Sequence, residues 1–146
     1  MNHIEQWVDH LSNPQAALGG LAICPFAKQS KYQIIETKDN YIDITEEDFE
    51  LILFKLDQEI SINQLYDLCD FLNKYFSKFV FLPDHKDKKT NIQGVQTNNG
   101  RFNLVLCQTR EKLIKARKQL NKTNYYSYWD IDYLKEILGS DYGNLD

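Results

Sequence analysis

A chain of 146 residues with 42% hydrophobic and 26% charged side chains has ordinary globular composition, which excludes disorder for the body of the chain. Its length suits one domain, 1–146, large enough to bury roughly two-thirds of its unfolded surface, so neither a metal nor a disulfide is needed for folding. The net charge of −4 hides an asymmetry. Residues 1–76 hold 5 basic and 13 acidic side chains, and residues 77–146 hold 12 and 8.

In chain order, Ile4, Trp7, Val8 and Leu11 make one apolar stripe and predict a helix over 3–12, stopped by Ser12-Asn13-Pro14. His3 and His10 share a face of that helix. They stand ~10 Å apart in rise, too far for one metal ion. An apolar, glycine-led segment then runs to Lys28. Tyr32 to Glu36 reads as a strand and Asp39-Asn40 as a turn. Tyr41 to Ile44 reads as a short strand or loop, and Thr45 to Asp48 as a capped helical turn or an acidic approach to the next strand. Glu50 to Leu56 is apolar on both parities, as in a strand covered on both faces.

Ser61 begins a helix whose inward stripe is Ile62, Leu65, Cys69, Leu72 and Phe76, widened by Leu68. Lys78 to Pro83 predicts a second interior strand. Asp84 to Arg101 reads as a long polar loop or loose hairpin, and as the most mobile segment of the chain. Phe102 to Cys107 is a third strand, and a helix follows from about Arg110 to Lys122. A tyrosine-rich turn spans Asn121 to Tyr128. Asp130 caps a last helix over Ile131 to Leu138, ended by Gly139, with a frayed tail from Ser140. The order of elements predicts an α+β fold. It would be a ferredoxin-like sandwich, with a mixed or antiparallel sheet carrying helices on one face, plus added N-terminal and C-terminal helices. A different open mixed sheet is the alternative.

No apolar run approaches the ~20 residues of a membrane span, and Met1 to Ser12 lacks the features of a signal peptide. A cytoplasmic protein with no membrane partner is expected. The abundance of Lys, Asn, Ile, Tyr and Phe suggests an AT-rich genome, bacterial or viral. The three cysteines, far apart and without a Cys-x-x-Cys motif, read as reduced thiols.

Two features invite chemistry. If a helix begins at Pro25, Cys24 becomes its N-cap, with Lys28 one turn on. Both the helix dipole and the ammonium would favour thiolate, giving a nucleophile or redox-sensitive thiol. The competing reading buries Cys24 among Leu21, Ile23 and Phe26, and no histidine is singled out as a base. Cys69 and Cys107 read as packing residues. The second feature is a ridge of Lys112, Lys115, Lys118 and Lys122, spaced by three, three and four on one helix face. Arg110 and Arg117 flank it, and Tyr125, Tyr126, Tyr128 and Trp129 follow it. Cations beside rings suit single-stranded nucleic acid, although the same pattern also describes a solvated helix face with rings packed on a sheet.

Phosphate-loop, dinucleotide, nucleophile-elbow and zinc-protease motifs are absent from the sequence, and neither a cofactor nor a metal is expected. Asp84-His85-Lys86-Asp87 offers metal ligands only beside lysines that oppose a cation.

Gly20, Leu21, Cys24, Pro25, Phe26 and Ala27 resemble the N-terminal signature of an uncharacterised bacterial family of small proteins, a glycine-containing apolar stretch leading into Cys-Pro-Phe-Ala. The likeness covers about ten of the 146 residues. The family's later Phe-His-Pro run has no counterpart here, where Leu82-Pro83-Asp84-His85 stands. The resemblance implies a role for Cys24 and Pro25 and brings no activity with it.

The function expected is therefore that of a small non-catalytic binding or interaction protein. It would act through the basic helix and the polar loop on a protein or other anionic ligand, with homo-oligomerisation between acidic and basic faces as a further possibility. The alternatives are an enzyme or redox protein using Cys24 and Lys28, or a single-stranded nucleic-acid binder.

Overall fold

The computed structural model describes residues 2–25, 31–45 and 49–144. It is α+β, with a four-stranded mixed sheet. The chain divides into two compact units interleaved along the sequence. One comprises Ser30–Lys89 with Asn98–Arg110. The other comprises Met1–Gln29, Thr90–Thr97 and Glu111–Asp146.

The first unit holds β1 (Tyr32–Glu36), β2 (Leu51–Lys55), α2 (Ile62–Tyr75), β3 (Phe79–Asp84) and β6 (Leu104–Thr109). The strand order is β1-β2-β6-β3. β1 runs parallel to β2, whereas β6 is antiparallel to both of its neighbours, β2 and β3. β2 and β3 are therefore parallel to each other, and they are joined by the crossover helix α2. Register places Ile52 opposite Cys107, and Phe81 opposite Cys107 on the far side. Because side chains alternate along a strand, Ile52, Phe54, Phe81, Val105 and Cys107 share one face. Leu65, Cys69 and Leu72 of α2 close over that face. Phe54 and Phe81 are fully buried there, each contributing roughly 2–3 kcal/mol of transfer free energy. On the other face Leu53, Val80 and Leu104 are buried as well, which explains why β2 is apolar on both parities from Leu51 to Phe54.

Helix α2 starts at a capping box. The Ser61 hydroxyl accepts from the Gln64 N–H, and the Gln64 side chain accepts from the Ser61 N–H. The exposed edge of β3 is occupied by Asn73, whose amide donates to the Phe81 carbonyl at 2.9 Å and accepts its N–H at 2.7 Å. Pro83 removes a further donor, so this edge offers little to a foreign strand. Beyond the sheet, Asp57 pins the bend after β1. It accepts from the Thr37 hydroxyl and from the N–H groups of Asp39 and Asn40, and these bonds hold its carboxyl well below the usual carboxylate range. Asp39 and Asn40 both have positive φ, a conformation that short polar residues tolerate.

The second unit holds α1 (His3–Ser12), the hairpin β4 (Asn91–Ile92) and β5 (Val95–Gln96), α3 (Arg110–Asn121, from Glu111 onward) and α4 (Ile131–Leu138). The hairpin turn is Gln93-Gly94, with positive φ at both residues, the pattern that matches strand twist in two-residue loops. Two backbone carbonyls dock this hairpin on α1. Thr97 accepts from the Trp7 indole N–H and Gln96 from the His10 ring, each at 2.8 Å. The Asp84–Arg101 segment thus carries a hairpin, one of its two expected forms, pinned to α1 rather than loose. His85, Ile92, Thr97, Asn98 and Asn99 within it are all buried. The tail is also more ordered than its composition predicts, forming a 3-10 turn over Gly139–Asn144.

Residues 13–25 curl back on α1. Gly20 N–H donates to the Gln15 carbonyl at 2.9 Å and Cys24 N–H to the Leu11 carbonyl at 2.8 Å. Gly19 (φ 65) and Gly20 (φ 85) make the turn. A Cβ on Gly19 would collide with the Tyr128 ring and hydroxyl, whereas one on Gly20 would meet open space. Gly20→Ala is expected to cost about 1 kcal/mol, for the left-handed backbone alone. Gly19→Ala is expected to cost at least about twice that, because Tyr128 must move as well. Urea denaturation of the two variants measures the difference directly.

Candidate functional site

The basic helix is built as the spacing predicts. Lys112, Lys115 and Lys118 on α3, and Lys122 just beyond it, are all exposed. Positions three and four apart stack along one helix face, so the four ammonium groups form a continuous ridge.

The flanking arginines are used differently. Arg110 is half-buried and donates from Nε to the Ser77 carbonyl at 2.9 Å, tethering the start of the helix within the sheet unit. Arg117 is only 6% exposed. It pairs with the Asp141 carboxylate at 3.8 Å and reaches the Ile137 carbonyl at 3.5 Å. Arg117 thus ties α3 to the C-terminal 3-10 turn, and its burial marks the side of α3 opposite the ridge.

The aromatic residues after α3 pack on one another. Tyr125 is buried and its hydroxyl donates to the Ile23 carbonyl. Tyr126 and Trp129 are half-buried. Trp129 stacks on Tyr133 with centroids 5.4 Å apart and packs with Leu18, Ile23 and Ile92. Stacking a base needs an open ring face, and Tyr125 and Trp129 spend theirs inside the unit.

Cys24 is half-buried and not in a disulfide. It is coupled electrostatically to the phenols of Tyr125 and Tyr126. Burial pushes both phenols above their ordinary range, an effect that the Arg117 guanidinium opposes. Pro25 lies in a turn. The helix expected after it, with Phe26, Ala27 and Lys28, falls outside the described residues. The other two thiols are core residues, as expected. Cys69 and Cys107 are buried, and desolvation pushes Cys69 far up and Cys107 up to about 12.

His85 is 4% exposed and closes the loop after β3. Its Nε2–H donates to the Ile60 carbonyl at 2.7 Å, and Nδ1 accepts the Asp87 N–H at 3.0 Å. Both ring nitrogens serve the backbone, which accounts for the histidine structurally. Among the described residues no group of three or more His, Cys, Asp or Glu side chains could hold a metal ion. Likewise no described helix is long and apolar enough to cross a membrane.

A polar cluster centred on Asp84 and Asn99 lies at the end of the sheet. Asn99 donates to the Asp84 carboxylate from its backbone N–H at 3.1 Å and also from its side chain. The same Asn99 side chain accepts the N–H groups of Arg101 and Phe102. Asn103 accepts the Lys86 N–H at 3.0 Å. Burial lifts the Asp84 carboxyl to about 6, against the opposing pull of the Asn99 hydrogen bonds. The signal in the sequence was Asn98-Asn99-Gly100 placed some fifteen residues after Asp84, and nothing in that spacing reveals a bond.

No protein-family model, curated protein or solved structure matches the chain.

Two measurements check this description. Without denaturant, a disulfide reagent should label Cys24 alone on the fast timescale, with Cys69 and Cys107 reacting only on unfolding, and Cys24→Ala should abolish the fast phase. For Asp84, the folded state holds its proton up to about pH 6, whereas the ordinary value is 3.8. The unfolded chain therefore deprotonates first. This group's contribution to stability falls as pH rises from about 4 to 6 and is constant above. Asp84→Asn keeps the acceptor oxygen and removes the charge. Its stability advantage over wild type should grow across that window by a free energy on the order of 3 kcal/mol, read from urea midpoints at each pH.

Proposed function

We propose that this is a non-catalytic binding protein that engages an acidic protein partner through the lysine ridge of α3. One observation carries the reading. Lys112, Lys115, Lys118 and Lys122 are all exposed on one face, while the cation turned the other way, Arg117, is buried in an ion pair. Concentrated charge of one sign steers an oppositely charged partner and sets its orientation. The inward packing of Tyr125 and Trp129 favours a protein partner over single-stranded nucleic acid.

For the fold we propose a relationship to ferredoxin-like sandwiches. The support is the crossover β2-α2-β3 with β6 between its strands, which is the split βαβ half of that architecture. β1 takes the place of the fourth strand, entering from the N-terminal side and parallel to β2.

A fluorescent oligo-glutamate peptide and a single-stranded oligonucleotide serve as probes at about 50 and 200 mM salt. The expected result is peptide binding that weakens at the higher salt as charges are screened. It should weaken at least about tenfold when all four lysines are replaced by glutamate. Oligonucleotide binding without peptide binding would transfer the ridge to nucleic acid. Equal binding by wild type and the charge-reversed protein would reject the ridge altogether.

A further inference from the structure

A second surface lies on the outer side of α2. Phe71 and Tyr75 are 61% and 71% exposed, large values for rings on the helix that covers the core. They are stacked on each other, with centroids 5.9 Å apart and planes at 16°. Their positions are fixed from below. Tyr75 packs edge-on against Phe76 at 4.9 Å, and Phe76 in turn contacts Phe79 and the fully buried Phe81. A series of rings therefore runs from the core to solvent and ends in a rigid apolar pair. Preorganised aromatic anchors of this kind lose little entropy on binding and dominate protein interfaces.

The charges beside the pair indicate what covers it. Asp67, Phe71 and Lys74 follow one another at i, i+4 and i+7, so they share a face. Asp67 and Lys74 are both exposed. The patch thus carries Asp67 at its N-terminal end, the ring pair in the middle with exposed Asp70 at its side, and Lys74 at its C-terminal end. A surface with that order is complementary to itself when turned end over end. A twofold axis through Phe71 sets the two Phe71 rings together. Four residues from the axis, ~6 Å along the helix, Asp67 lies level with the second copy's Tyr75 and within one residue's rise of its Lys74. Both ion pairs form at once, because an isologous interface repeats each contact.

We infer that the exposed face of α2 is a homodimer interface, with two α2 helices packed antiparallel through Phe71 and Tyr75 and bracketed by reciprocal Asp67–Lys74 pairs. The inference is independent of the lysine ridge, which lies on α3. The patch is small, so the dimer is weak and reversible, in the class of interfaces below ~1,200 Å².

Sedimentation equilibrium of the full chain, from about 10 μM to about 1 mM, tests this. Wild type should associate to a dimer. Phe71→Ala, Asp67→Lys and Lys74→Glu should each weaken association at least about tenfold, with unchanged circular dichroism and melting temperature because all three side chains are exposed. The deciding arm mixes the two charge variants. Asp67→Lys with Lys74→Glu restores one native and one inverted ion pair, so the mixed dimer should regain affinity to within about threefold of wild type. A wild-type protein that stays monomeric throughout overturns the inference. So does a dimer indifferent to the charge variants, or a mixture no tighter than its components.

Discussion

The placement of β6 between β2 and β3 is the constraint on which the rest of the structure depends. β6 is antiparallel to both neighbours and hydrogen-bonded on both edges, so β2 and β3 must be parallel. Parallel strands cannot be joined by a tight turn, and α2 supplies the crossover. The same placement puts Phe54, Val105, Cys107 and Phe81 on adjacent strands of one face, which α2 then covers. β3 and β6, by contrast, are antiparallel neighbours whose connected ends lie side by side, with Asp84 opposite Leu104. A short turn would have joined them, yet the chain spends residues 85–103 on the journey.

That excursion must leave and re-enter a buried sheet end, and its backbone polar groups have to be satisfied there. His85, Asn99 and Asn103 do this work with side chains. His85 joins Ile60 to Asp87, Asn99 holds Arg101 and Phe102, and Asn103 holds Lys86. The cost is a desolvated carboxyl at Asp84, tolerated because Asn99 donates to it twice. Residues that look like chemistry in a sequence (a histidine between aspartates, a run of asparagines) are here the fittings of a chain crossing.

The two surfaces proposed as partner sites differ in how they are held. The α3 ridge is long-range charge on flexible stems, and its counterweight is the Arg117–Asp141 pair on the buried side. The α2 patch is short-range and rigid, because Phe71 and Tyr75 end a series of rings rooted at Phe81. Charge at a distance governs encounter and orientation, while packed rings govern dissociation.

Local periodicity was sufficient for most elements. The 3–12 helix, the Tyr32 strand, the helix after Ser61 and the Ile131–Leu138 helix stand where spacing puts them, because amphipathic stripes are written in neighbouring residues. Exposure of the lysine ridge was legible for the same reason. Strand ends near Cys107 and Pro83 slipped by up to two residues, since pairing rather than composition ends a strand. The α+β class followed from the order of elements. Strand order, the direction of β1, the burial of Arg117, Tyr125 and Asn99, and the tasks of His85 depend on contacts between residues far apart in the chain. Only the folded chain decides these, because a side chain's environment is set by what packs against it, and spacing along the sequence does not encode that.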